Sequence, residues 1–136
     1  MTKRETGVQP PKPTVAELGI LLALWHLGPT TVGQIRDLMA EDNDVGYTTV
    51  LKLLQIMHQK GLVERDESQR AHVYMPRLSK EQTQQQMVGD LVSRLFDGSP
   101  SKLVLQALGS TEQASTQELG EIRELLDRIE STEAQQ

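Results

Sequence analysis

Thr48, Lys52, Gln55 and Gln59 recur at spacings of four, three and four residues. That spacing puts them on one stripe of a helix. The stripe combines hydroxyl, ammonium and amide groups, and no acid lies between Tyr47 and Lys60. These groups suit the edges of DNA bases. Lysine donates to guanine O6 and N7, glutamine can pair with adenine N6 and N7, and a threonine methyl can meet the thymine methyl. The first turns of a helix laid in a major groove are the ones that reach bases. Tyr47, Thr48, Thr49 and Lys52 are therefore the candidate base readers, with Gln55 nearer the backbone. A solvated helix face would also be polar, so the flanking elements bear on the choice.

The helix that carries the stripe has an opposite face of Val50, Leu53, Leu54 and Met57, which predicts packing on neighbouring helices. Gly61 is the expected stop. Residues 62–67 and 71–76 are strand-like, joined by a turn at Ser68-Gln69-Arg70. A helix followed by a two-stranded ribbon is the second half of a winged helix-turn-helix. The ribbon brings Arg65, Arg70 and His72, with Arg70 at the tip, where a guanidinium can clamp a phosphate or enter a minor groove. Asp66 and Glu67 would repel phosphate and are expected to point away.

Upstream, Thr14-Val-Ala-Glu17 and Thr31-Val-Gly-Gln34 are capping boxes that open two helices. The first carries Leu18, Leu21, Leu22 and Trp25 at helical spacing and ends at Gly28-Pro29. The second carries Ile35, Leu38 and Met39 and fades into Glu41–Asp44. In this architecture the second helix crosses the DNA backbone, so Thr30 and Thr31 are candidates for phosphate contact as well as for simple capping. Residues 1–13, with three prolines and the basic Lys3, Arg4 and Lys12, read as a flexible arm.

Ser79-Lys-Glu-Gln82 opens a further helix with Met87, Val88, Leu91, Val92 and Leu95 on one side. Asp97–Pro100 breaks it, and a short helix with Leu103, Val104, Ala107 and Leu108 stops at Gly109. A polar loop over 110–116 is expected next, then a helix over about 117–130. Leu119, Ile122, Leu126 and Ile129 form a seam on it at spacings of 3, 4 and 3, too short for a free-standing coiled coil. The fold class is thus mainly α with a small two- or three-stranded β wing. It divides into an arm (1–13), a winged-helix DNA-binding domain (14–78), a helical dimerisation region (79–131) and a tail (132–136). Leu91, Leu95, Leu119, Ile122, Leu126 and Ile129 are the candidate dimer residues, because three thin helices cannot bury all these stripes alone.

Composition limits the function classes. The formal net charge is −5, but residues 1–78 hold nine basic and nine acidic residues, and residues 79–136 hold five and ten. The acidity is C-terminal, and the N-terminal half is neutral, which permits DNA binding without arguing for it. No cysteine is present, so disulfides and Cys-based zinc sites are excluded. His26, His58 and His72 belong to different elements with no ligand spacing, so no metal or other cofactor is expected. No nucleophile–base order or phosphate-cradling loop supports an enzyme. No apolar run spans a membrane, and a cytoplasmic location is expected.

The chain resembles the penicillinase-repressor family, BlaI/MecI/CopY, in four segments: TVAELGILLALW, DVGYTTVLKLLQIMHQKGLVER, RAHVYMP and LVSRLFDGSPSKLVLQAL. The resemblance covers most of residues 14–108. It implies a homodimeric repressor whose winged helix binds a palindromic double-stranded operator and whose C-terminal helices pair. In the best-known members a membrane-bound sensor protease triggers cleavage at an Asn-Phe pair. The aligned residues here are Gln106 and Ala107, and neither matches. The paired C-terminal cysteines of the copper-responsive branch have no counterpart. Two other readings stay open on the residues: a winged helix used only to bind protein, and a small-molecule-responsive repressor of another winged-helix family.

Overall fold

The computed structural model describes residues 9–40, 46–110 and 114–134. The order is α1 (Val15–Leu27), α2 (Val32–Met39), α3 (Tyr47–Lys60), β1 (Val63–Asp66), β2 (Val73–Pro76), α4 (Lys80–Leu95), α5 (Pro100–Ser110) and α6 (Thr116–Ala134). Two compact units result, one ending at Val88 and one starting at Gly89. The break falls inside α4, ten residues beyond the boundary expected from the sequence.

The first unit is a winged helix-turn-helix. Its core joins Ile20, Leu21 and Leu24 of α1 with Ile35 of α2, Val50, Leu54 and Met57 of α3, and Leu62, Val63 and Tyr74 around the wing. The core face of α1 differs from the expected one. Leu18 and Trp25 are only partly buried, and Leu22 is 46% exposed. α1 is apolar on nearly every side, so periodicity alone could not choose which side faces inward. All three expected capping boxes form. Thr14 N–H donates to Glu17 and Glu17 N–H donates to Thr14 Oγ1, with the same reciprocal pair at Thr31/Gln34 and Ser79/Gln82.

α3 begins after Gly46, which offers no side-chain cap, and ends at Gly61 in the left-handed region (φ 85°). There the Leu62 N–H reaches Met57 O at 2.9 Å, closing the last turn. The strands of the wing are antiparallel, with Val63 opposite Pro76 and Asp66 opposite Val73. They are shorter than expected, and the loop between them runs from 67 to 72. One cause is local. The Asp66 carboxylate accepts the Ser68 N–H at 2.9 Å, an Asx-type bond that turns the backbone out of the ladder. No third strand forms among the described residues. Instead Thr30 makes an isolated bridge to Tyr74, with N···O distances of 3.0 and 2.7 Å. The wing is two-stranded and stitched to the start of α2.

The first part of α4 belongs to this unit. Thr83 is buried, and Trp25 Nε1 donates to Leu78 O at 3.1 Å. Residues 9–13, expected to be part of a flexible arm, are docked. Pro10 and Pro13 are buried, and Gln86 Nε2 donates to Pro10 O at 2.6 Å. Lys3, Arg4 and the Glu41–Asp44 stretch lie outside the described residues.

The second unit contains the end of α4 with α5 and α6. Asp97 and Gly98 take positive φ and turn the chain between α4 and α5. Pro100 then stands at the first helical position, where its missing N–H costs nothing. Gly109 does not stop α5, which continues to Ser110. α6 starts earlier and runs longer than expected. Ser115 caps it through a fourth capping box with Glu118, and the helix runs through the expected tail to Ala134. No residue from 89 to 134 whose exposure is described is buried. No helix among the described residues is long and apolar enough to cross a membrane.

Candidate nucleic-acid interface

α3 is held from behind. Val50, Leu54 and Met57 are fully buried on its inner face. Its C-terminal end is tied to α1 by an ion pair, Lys60 Nζ to Glu17 Oε2, at 2.7 Å. Glu17 is itself buried. Burial pushes its carboxyl up. Lys60 and the Thr14 amide and hydroxyl together outweigh that effect and hold it below the usual carboxylate range. This pair was not legible in the sequence, where Glu17 was read only as a capping residue.

With its inner face fixed, α3 turns Tyr47, Thr48, Thr49, Lys52, Gln55 and Gln59 outward, all exposed. No acid lies anywhere on the helix. The stripe expected from spacing is a continuous polar surface over three turns, with hydroxyls at the N-terminal end, an ammonium one turn in and amides beyond.

The basic residues of the wing divide. Arg70 and His72 are exposed in the 67–72 loop. Arg65 is largely covered. Its guanidinium bonds to the Glu67 carboxylate at 2.6 Å through both Nε and Nη2. A hydrogen bond with Tyr74, ahead of the Glu67 contact, raises its already high pKa. Glu67 is thus turned onto Arg65, and Asp66 onto Ser68, whose backbone N–H lowers the Asp66 pKa. Both acids are occupied within the wing.

Thr30 is a correction to the sequence reading. It is buried, its backbone pairs with Tyr74, and its hydroxyl donates to Gln34 Oε1. Nothing of it is presented to a phosphate. Thr31 is partly exposed at the head of α2, with its Oγ1 accepting the Gln34 N–H. Tyr74 was read as an ordinary strand residue, yet it connects wing, α2 and Arg65.

In the second unit Leu91, Leu95, Leu126 and Ile129 are exposed, with Leu95 at 68% and Leu126 at 51%. Leu119 and Ile122 are half-buried. Gln106 and Ala107 lie within α5. The described residues hold no cluster of three His, Cys, Asp or Glu side chains that would hold a metal.

The family model of the penicillinase repressor matches residues 13–128, from the docked N-terminal segment to the last turns of α6. The chain belongs to the penicillinase repressor family. It is a winged-helix transcriptional regulator and not an enzyme. Among curated relatives, the transcriptional regulator BlaI of Mycobacterium tuberculosis is 26% identical over 116 residues, covering 85% of this chain and 83% of the relative. Among solved structures, the DNA-binding domain of the repressor BlaI aligns with a TM-score of 0.48 and 18% identity, over 53% of this chain and 88% of that one. The Bacillus licheniformis BlaI monomeric form in complex with the blaP half-operator aligns at 0.47 and 18%, over 54% and 89%.

Proposed function

We propose that this penicillinase-repressor homologue is a cytoplasmic homodimer that represses transcription by binding a palindromic operator. One α3 of the pair enters each half-site. Thr48, Thr49 and Lys52, with Tyr47 beside them, read base edges. Arg70, His72, Gln55 and the Thr31 end of α2 hold the backbone. Arg65 supports the wing from within. The single observation that carries this reading is the exposed, acid-free stripe on α3 backed by fully buried Val50, Leu54 and Met57.

The dimer rests on a second physical point. Three helices with no buried residue cannot offset their own ordering entropy, since short isolated helices are marginal in water. Their half-exposed leucines and isoleucines need a partner, and a second copy offers the same surface with two-fold symmetry. Pairing also brings two α3 helices to one duplex at high effective concentration.

A mobility-shift titration on the duplex upstream of the chain's own gene tests the function. A preference of about 10³-fold or more over random duplex is expected. Equal binding to both, or binding that ignores salt, would point to a protein-interaction module instead.

A further inference from the structure

We infer that the open groove between α1 and α4 is a docking surface for a second copy of this chain, so that self-association covers the DNA-binding unit as well as the C-terminal helices. This inference rests on the homodimer reading above.

The groove is walled by Leu18, Leu22 and Trp25 of α1 and by Met87 and Val88 of α4, with Lys80 at its rim. α1 explains why it exists. One side of that helix fills the core, and the other side is equally apolar. α4 covers that second side only in part. Leu22 and Val88 each remain 46% exposed. A helix apolar all round belongs in a fully buried setting, and α1 reaches that setting only with a further partner.

Two features identify the partner as a second copy. First, the α4 wall of the groove does not end at Val88. Gln84, Met87, Leu91 and Leu95 recur at spacings of three, four and four, so one helix face runs from the groove into the leucines assigned to the dimer. Second, α6 has the complementary character. It carries half-exposed Leu125, Leu126 and Ile129 beside six acids and only two arginines. Its apolar seam suits the leucines and tryptophan of the groove, and its acids suit Lys80. A small ligand fits less well. The groove holds about 280 Å³ and stays open, whereas sites that engulf a small molecule span roughly 300–1,000 Å³ and bury most of it.

Trp25 is the sole tryptophan, so its fluorescence reports on the groove directly. The full-length chain is diluted through its self-association range, set by sedimentation, while acrylamide quenching of Trp25 is followed. Quenching is expected to fall as copies associate. Leu22→Glu, outside the core, is expected to weaken self-association by more than about tenfold, because it buries a charge without a partner, while Leu22→Met retains it. Unchanged quenching across dissociation, with Leu22→Glu pairing like wild type while Leu126→Glu does not, would overturn the inference and leave the homodimer intact. A wild-type chain that stays monomeric at every concentration would overturn both. Should Leu22→Glu fail to fold, the wild-type quenching curve alone decides.

Discussion

Two lysines of α3 have opposite fates. Lys60 spends its charge on Glu17, across 43 residues of sequence, while Lys52 stands on the outward stripe. Lys52→Ala is therefore expected to relax sequence preference, at a cost of about 1–3 kcal/mol of discrimination at the base it contacts. Arg70→Ala is expected to weaken all duplexes alike and to reduce the salt slope by about one. Fluorescence anisotropy on matched and single-substituted operators at several salt concentrations separates the two. Glu17 makes a prediction about pH. Its folded pKa lies below the ordinary value, so the charged carboxylate stabilises the fold at neutral pH. That contribution is lost as pH falls from the ordinary carboxylate range through the lower folded value. Glu17→Gln keeps the capping geometry and removes the charge. Thermal melts from pH 7 downward are expected to show a smaller acid-induced loss in Glu17→Gln than in wild type.

At the scale of the element, α3 and the capping boxes were legible in sequence, because they depend on residues within a few positions of one another. Val50, Leu54 and Met57 alternate with Thr48, Lys52 and Gln55 at helical period, and burial follows that period. α1 was not legible in the same way. Leu18, Leu21, Leu22 and Trp25 are helically spaced, but so are Ile20, Leu21 and Leu24, and tertiary packing chose the second set. The ties that position the site were also hidden, since the Glu17–Lys60 pair and the Thr30–Tyr74 bridge join residues more than forty positions apart. Gly61 belongs to the legible class. It holds a left-handed φ at the end of α3, where a Cβ costs about 1–2 kcal/mol. Gly61→Ala is expected to lower urea stability by about that amount. It should leave specificity nearly unchanged, because the reading end of α3 lies three turns away.

For the whole molecule, the two units have opposite characters. The first has a fully buried core and an outward polar stripe. The second has no buried residue from 89 to 134 among those described, and its acidic α6 is unsuited to lie on DNA. The first unit is built to meet a duplex and the second to meet another chain. The sequence signalled this division through its charge asymmetry, but it could not show that an exposed apolar side of α1 belongs with the second role. Leu126→Glu is expected to give a monomer by sedimentation, with operator affinity reduced to that of a single half-site. The pairing geometry is tested most directly by hydroxyl-radical footprinting of the full-length chain on its own upstream duplex. A two-fold pair that presents Thr48–Lys52 to successive major grooves predicts two equal protected patches on one side of the duplex, about one helical turn or a whole multiple of it apart. A single patch, or two patches on opposite faces, would contradict it.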